Sequence, residues 1–168
     1  MNIHIDPLHQ IVIDGTAIRL GMEKASVEAA IGKGCPVGTR YGYFNHEMAI
    51  GYRDGKVEFI EFLGGTDGML KPVMYGISVF DAPANEVLQI LKEKNNGIVG
   101  DTENGYAYQF LNLSVGIYRE AIPDDVREMI EEAKRFGNPM SDEEICFEMK
   151  KANHWATVGV GIPGYYQR

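Results

Sequence analysis

The feature that most constrains this chain is an order of elements that occurs twice. Val27 and Ile31, at helical spacing after Leu20-Gly21-Met22, are matched sixty residues on by Val87 and Leu91. The apolar run around Ile50-Gly51-Tyr52 is matched sixty-five residues on by Val115-Gly116-Ile117. The match is one of pattern rather than identity. A chain that runs strand, helix, then strands, and then does so again, predicts an α+β fold. The expected form is a twisted, mostly antiparallel sheet built from two pseudo-repeated halves, with the repeat helices on one face. The halves are expected at about 1–66 and 67–168, within a single domain of 168 residues. A chain of this length buries roughly 70% of the surface its unfolded form exposes, so it folds without a metal or disulfide staple.

Local signals place the elements. Short strands are predicted at 2–5, 10–13 and 17–20, separated by the turn formers Asp6-Pro7 and Asp14-Gly15. A helix over 23–31 stops at Gly32, and strands follow at 40–44 and 47–53. Asp54-Gly55 then turns the chain into a strand over 56–63, the strongest short-range hairpin signal in the sequence. Gly64-Gly65-Thr66-Asp67-Gly68 reads as a loop and a boundary between the halves. Residues 72–80 are strand-like, and Asp81 with Pro83 opens a helix carrying Ala84, Val87, Leu88 and Leu91, closed by Asn95-Asn96-Gly97. Strands are expected at about 98–99, 107–111 and 113–118. The return strand that 56–63 supplies in the first half is delayed in the second until 155–161. The intervening insertion, about 119–153, reads as a helix pair. The first helix opens at Pro123-Asp124-Asp125 with Val126, Met129, Ile130 and Ala133 on one face. The second starts at Ser141 with Glu144 at capping-box spacing.

Charge narrows the partners. Sixteen basic against twenty-four acidic residues give a formal net charge of −8, which repels nucleic acid and anionic lipid and attracts basic surfaces. Ten acidic residues lie among six basic ones between Arg119 and Lys151, so half of that charge sits in the insertion. Glu131, Glu132, Asp142 and Glu143 are the candidate steering charges there. Tyrosines at period two, Tyr41 with Tyr43 and Tyr106 with Tyr108, predict an aromatic contact surface if those rows face away from the helices.

No residue set dictates a reaction. His4 and Asp6 share a strand face, with His9 and His46 elsewhere, but a His-x-Asp pair lacks the further ligands that define a metal site. Cys35 follows a helix C-terminus, which raises a thiol pKa, and Cys146 sits among Ile145, Phe147 and Met149 as an expected core cysteine. His154 reads as a helix C-terminal residue. No phosphate loop occurs, because Gly159-Val160-Gly161-Ile162-Pro163-Gly164 has no room for a helix after it; it reads as a turn presenting Tyr165 and Tyr166. No catalytic residue, metal ligand or cofactor is assigned. Two distant cysteines, the lack of a basic-then-apolar N-terminal stretch and the lack of eighteen consecutive apolar residues suggest a cytoplasmic protein.

The segment from Leu20-Gly21-Met22 through Val27 to Ile31-Gly32 resembles the Gly-Met…Val…Leu-Gly helix entry of beta-lactamase-inhibitor-protein-like repeats. In the second half Asp81-Ala82 replaces the Gly-Met pair, and Cys35 and Cys146 do not make the disulfide pattern of that family. What the resemblance implies is a tandem helix-and-sheet platform that binds a protein. In its small, acidic α+β style the chain also resembles immunity proteins of bacterial polymorphic toxin systems. That resemblance implies one-to-one neutralisation of a basic toxin. The leading expectation is therefore a non-enzymatic protein-binding module, immunity- or inhibitor-like, using the tyrosine rows and the acidic insertion. The alternative is a sensor domain with a pocket for a small molecule or peptide lined by Met129, Phe136, Met149 and Trp155. An enzyme using His4, Asp6 or the carboxylates of the insertion, or a homodimer through the aromatic face, are further readings.

Overall fold

The computed structural model describes all residues, 1–168. The chain opens with three antiparallel strands, β1 (Asn2–Asp6), β2 (Gln10–Ile13) and β3 (Thr16–Arg19), followed by helix α1 (Lys24–Ile31). A four-stranded meander then runs through β4 (Cys35–Val37), β5 (Arg40–Tyr43), β6 (Met48–Arg53) and β7 (Lys56–Phe62). After a 3-10 turn at Gly65–Asp67 come β8 (Lys71–Met74), β9 (Ile77–Ser78) and helix α2 (Ala84–Asn95). The second meander is β10 (Val99–Gly100), β11 (Ala107–Phe110), β12 (Val115–Tyr118) and β13 (Thr157–Gly161). Helices α3 (Pro123–Arg135) and α4 (Asp142–Asn153) lie between β12 and β13, and a 3-10 turn at Tyr165–Gln167 ends the chain. No helix is long and apolar enough to cross a membrane.

This is an α+β fold, and its strands form two sheets where one was expected. The small sheet has the order β3-β2-β1-β8-β9 and the large one β10-β11-β12-β13-β7-β6-β5-β4. Helix followed by four-stranded meander thus occurs twice, and the meanders join edge to edge where β7 pairs antiparallel with β13. In the small sheet the first strand of each half, β1 and β8, form the one parallel pair. The split follows from burial. Ile3, Ile5, Ile11, Ile13 and Ile18 alternate with exposed or half-buried residues, so the small sheet has one apolar face and must bury it against something. It meets the inner rows of the large sheet, led by Ile50, Ile60, Phe62, Val115 and Val158. Val27 of α1 and Val87 and Leu91 of α2 join the same continuous core.

Turn chemistry fixes the registers. Asp54 and Gly55 both take positive φ, 51° and 76°, as a two-residue primed turn between β6 and β7 demands. Asn96 caps α2 in the left-handed region, φ 44°, and its predecessor acts as a latch. Buried Asn95 accepts from the backbone N–H of Asn112 at 2.9 Å and of Leu113 at 3.2 Å. It also donates to the Ile98 carbonyl at 3.0 Å, holding α2 to the loop between β11 and β12. The outer face of the large sheet carries glycine at Gly116 and Gly159, side by side in register. A Cβ at either would collide with Tyr166, which the terminal 3-10 turn lays across them, and Tyr165 stacks on Phe59 with centroids 4.4 Å apart.

Asn95→Ala leaves the backbone N–H groups of Asn112 and Leu113 without their acceptor, while the Ile98 carbonyl keeps the N–H of Leu111, so it is expected to lower the unfolding free energy by about 2–4 kcal/mol in urea titration. A loss within a few tenths of a kcal/mol would refute the latch.

Candidate functional site

The insertion is built onto the fold by buried contacts at its two ends. Arg119 follows β12 and is only 7% exposed. It donates from Nε to the Gly105 carbonyl at 3.0 Å and from an Nη to the Ala152 carbonyl at 2.8 Å, so it ties the entry of the insertion to its exit. Its guanidinium stands 5.0 Å from the Trp155 ring, and burial pulls its pKa below the ordinary arginine value. Trp155 in turn donates to the Ala84 carbonyl at 3.0 Å, fixing the exit against α2. β12 and β13 pair directly below these contacts, so the helix pair grows from the end of an unbroken ladder.

On α3, Val126 is buried and Ile130 and Ala133 are half-buried, at i, i+4 and i+7. Met129 was expected on this packed face and lies at its margin, 44% exposed. Phe136, seven residues on and on the same flank, is 80% exposed, and Glu132 stands between them on that flank. On α4, Phe147 is 57% exposed one turn after Glu143, with the Lys151 ammonium 4.4 Å from its ring centroid. Glu131, Glu132, Asp142 and Glu143 are all exposed. Ser141 and Glu144 form the capping box read from the sequence, with bonds of 2.8 and 3.2 Å. The insertion therefore presents large apolar side chains beside exposed acids, of which Glu131 pairs with Lys134 at 3.3 Å. Phe136 and Phe147 were not singled out as exposed anchors, because helical periodicity alone cannot say how wide a stripe the neighbours cover.

The tyrosine rows face inward. Tyr41 pairs in register with Ile50 and Tyr43 with Met48, so both belong to the core face of the sheet. Tyr43 is 4% exposed and its hydroxyl lies 2.7 Å from that of Tyr52; burial raises both phenol pKa values. Tyr41 is half-buried beneath α1, with the Lys24 ammonium 3.6 Å from its ring centroid. Tyr108 meets Trp155 edge-on at 6.0 Å, and the half-buried Tyr106 donates its hydroxyl to Asp125 on α3. The expected open aromatic surface is thus turned towards the helices. Period two settles that such residues share a face and leaves open which face it is.

A pocket was expected between the sheet and the inserted helices; a concavity of about 130 Å³ lies instead between α4 and the turn that follows β7. Trp155 lines it, as expected, but Met129, Phe136 and Met149 do not; Leu63, Phe147, Lys150 and His154 take their place. Its far wall is the turn at 64–70, held by two anions. Glu47 accepts from the Leu70 N–H at 2.8 Å, and Asp67 pairs with Lys150 of α4 at 2.9 Å. His4, Asp6 and His9 are exposed and gather into no cluster with other metal-ligating side chains. Cys146 is exposed where a core residue was expected, because α4 buries only Ala152, and Cys35 is exposed on the edge strand β4. His154 caps α4 with its Nδ1 2.8 Å from the Lys150 carbonyl oxygen. No family model, curated protein or solved structure matches the chain.

Backbone N–H groups of Leu70 and Met69 hold the Glu47 carboxyl below its ordinary pKa, and the Lys150 ammonium does the same for Asp67. Depressed folded-state values contribute stability that is present above the unfolded pKa values, about 4.3 and 3.9, and is lost as pH falls through the folded ones. Amide protection at 64–70 is therefore expected to drop between about pH 5 and pH 3, ahead of the core strands, in hydrogen exchange corrected for intrinsic rates. Uniform loss across the molecule would show that the turn is not held this way.

Proposed function

We propose that this protein is a non-enzymatic protein-binding module whose contact surface is the α3–α4 insertion, and that its partner is basic. The observation that carries the reading is the exposure of Met129, Phe136 and Phe147 on an insertion that also carries a formal −4. Exposed aromatic side chains are favoured interface anchors, because they contribute large contact area at little cost in rotamer entropy. The surrounding Glu131, Glu132, Asp142 and Glu143 favour encounter with a positive surface and disfavour a like-charged one. The two roles separate cleanly: anchors set how long a complex lasts, and charges set how fast it forms. An immunity- or inhibitor-like protein works in this way, by one-to-one neutralisation of a basic partner. The inward tyrosines take no part; they carry the platform on which the insertion stands.

Capture from lysate of the producing organism at low salt, with elution through a salt gradient, is expected to return one basic protein in one-to-one amount. Phe136→Ala with Phe147→Ala is expected to speed dissociation by at least about tenfold. Reversing the four acids to lysine is expected to slow association and flatten its salt dependence, with dissociation little changed. Recovery of the protein alone, or binding indifferent to both sets of changes, would refute the reading.

A further inference from the structure

The outer face of the large sheet, away from α1 and α2, already holds two of the protein's own guanidinium groups. Arg40 stands 4.6 Å from the Phe59 ring centroid and pairs with one carboxylate oxygen of Glu61. Arg168 stands 5.5 Å from the Tyr165 ring and pairs with Glu58 at 3.1 Å. In each case a tyrosine or phenylalanine face and a carboxylate act together on a planar cation.

Beside them lies a third position with the same ingredients and no cation of its own. It is a trough of about 190 Å³ beside the place where Tyr166 covers Gly116 and Gly159, and both glycines contribute to its lining. Tyr118, Tyr166, Glu61, Glu103 and Gln109 line it. No lysine, arginine or histidine lines it. Arg40 takes one oxygen of Glu61 and leaves the second for the trough. Tyr166 is held in place by Tyr165 and Phe59, at ring separations of 5.3 and 6.1 Å, so this part of the lining exists before any ligand arrives. Burial raises the Tyr166 phenol pKa, with the Glu61 charge adding to it, so the hydroxyl stays protonated beside the carboxylate.

We infer that this trough is a binding site for a guanidinium group, sized for an arginine side chain, with Glu61 as the charge partner and Tyr118 and Tyr166 as stacking partners. At about 190 Å³ and open to solvent, the trough has room for the end of an arginine side chain. A planar fork can pair with the free carboxylate oxygen and lie flat on a ring, where a compact ammonium gains the charge and the attraction to the ring but neither the flat stacking nor the forked geometry. This site lies on the sheet and not on the insertion, so it stands or falls independently of the protein-binding reading.

The test is titration of isotope-labelled protein with free L-arginine, followed by amide shifts, with L-citrulline as the neutral isostere and L-lysine as the ammonium control. Saturable shifts confined to β11, β12, β13 and the C-terminal turn are expected, with citrulline and lysine weaker by about tenfold or more. Glu61→Gln is expected to weaken arginine by about tenfold. Because that change also strips Arg40 of its partner, Tyr118→Ala serves as a second variant; its side chain is exposed, so the fold is kept and arginine is expected to bind several-fold more weakly. A glycine-flanked arginine peptide that binds where the free amino acid does not would support the site and assign the guanidinium to a polypeptide. Equal binding of arginine, lysine and citrulline, or no saturable shift with amino acid and peptide alike, would overturn the proposal.

Discussion

The pairing of β7 with β13 is the contact on which the rest of the molecule depends. It sets Phe62 opposite Val158 and Ile60 opposite Val160, and so joins two four-stranded meanders into one surface with a continuous apolar inner face. Without it each half would be a short sheet with a bare apolar side and an unpaired edge, which is unstable in water. With it, the small sheet, α1 and α2 all have a single face to pack against. The partner strands are distant in sequence, and the α3–α4 insertion lengthens the loop that must close. Because loop-closure entropy grows only slowly with length, such an insertion is tolerated in the second meander so long as β12 and β13 still align.

That tolerance is what frees the insertion for another use. Arg119 and Trp155 fasten its base with bonds to the backbone of Gly105, Ala152 and Ala84, and beyond them α3 and α4 bury only Val126 and Ala152 fully. A segment that contributes so little to the core is free to carry exposed phenylalanines and a concentration of charge at small expense to stability. The outer face of the large sheet is the counterpart. Its glycines let the C-terminal tyrosines settle on bare backbone, which closes part of that face and leaves a trough beside them.

Much of this was legible in the chain. Asp54-Gly55 between two alternating runs announced the β6–β7 hairpin, and Ser141 with Glu144 announced the start of α4, because both signals act within a few residues through backbone conformation. The doubled helix-and-meander order could be read from the spacing of Val27 and Ile31 against Val87 and Leu91. Glu131, Glu132, Asp142 and Glu143 were expected on the surface and are there. What failed was orientation. Tyr41, Tyr43 and Tyr108 were rightly grouped in rows, yet they face the core, and Cys146 was taken as buried on a helix whose one buried residue is Ala152.

The amino-acid sequence by itself determined the α+β class, the turns, the caps and the charge of the insertion, since each depends on neighbours close along the chain. Tertiary structure alone decided that there are two sheets, that the tyrosines face inward, and that Phe136 and Phe147 stand in solvent. It alone brought Glu61, Tyr118 and Tyr166 to one trough from three separate parts of the chain. The physical reason is the same in each case. Periodicity sorts residues onto faces, but which face is covered is set by strand pairs such as β7 with β13 and β1 with β8, whose partners are separated by most of a domain.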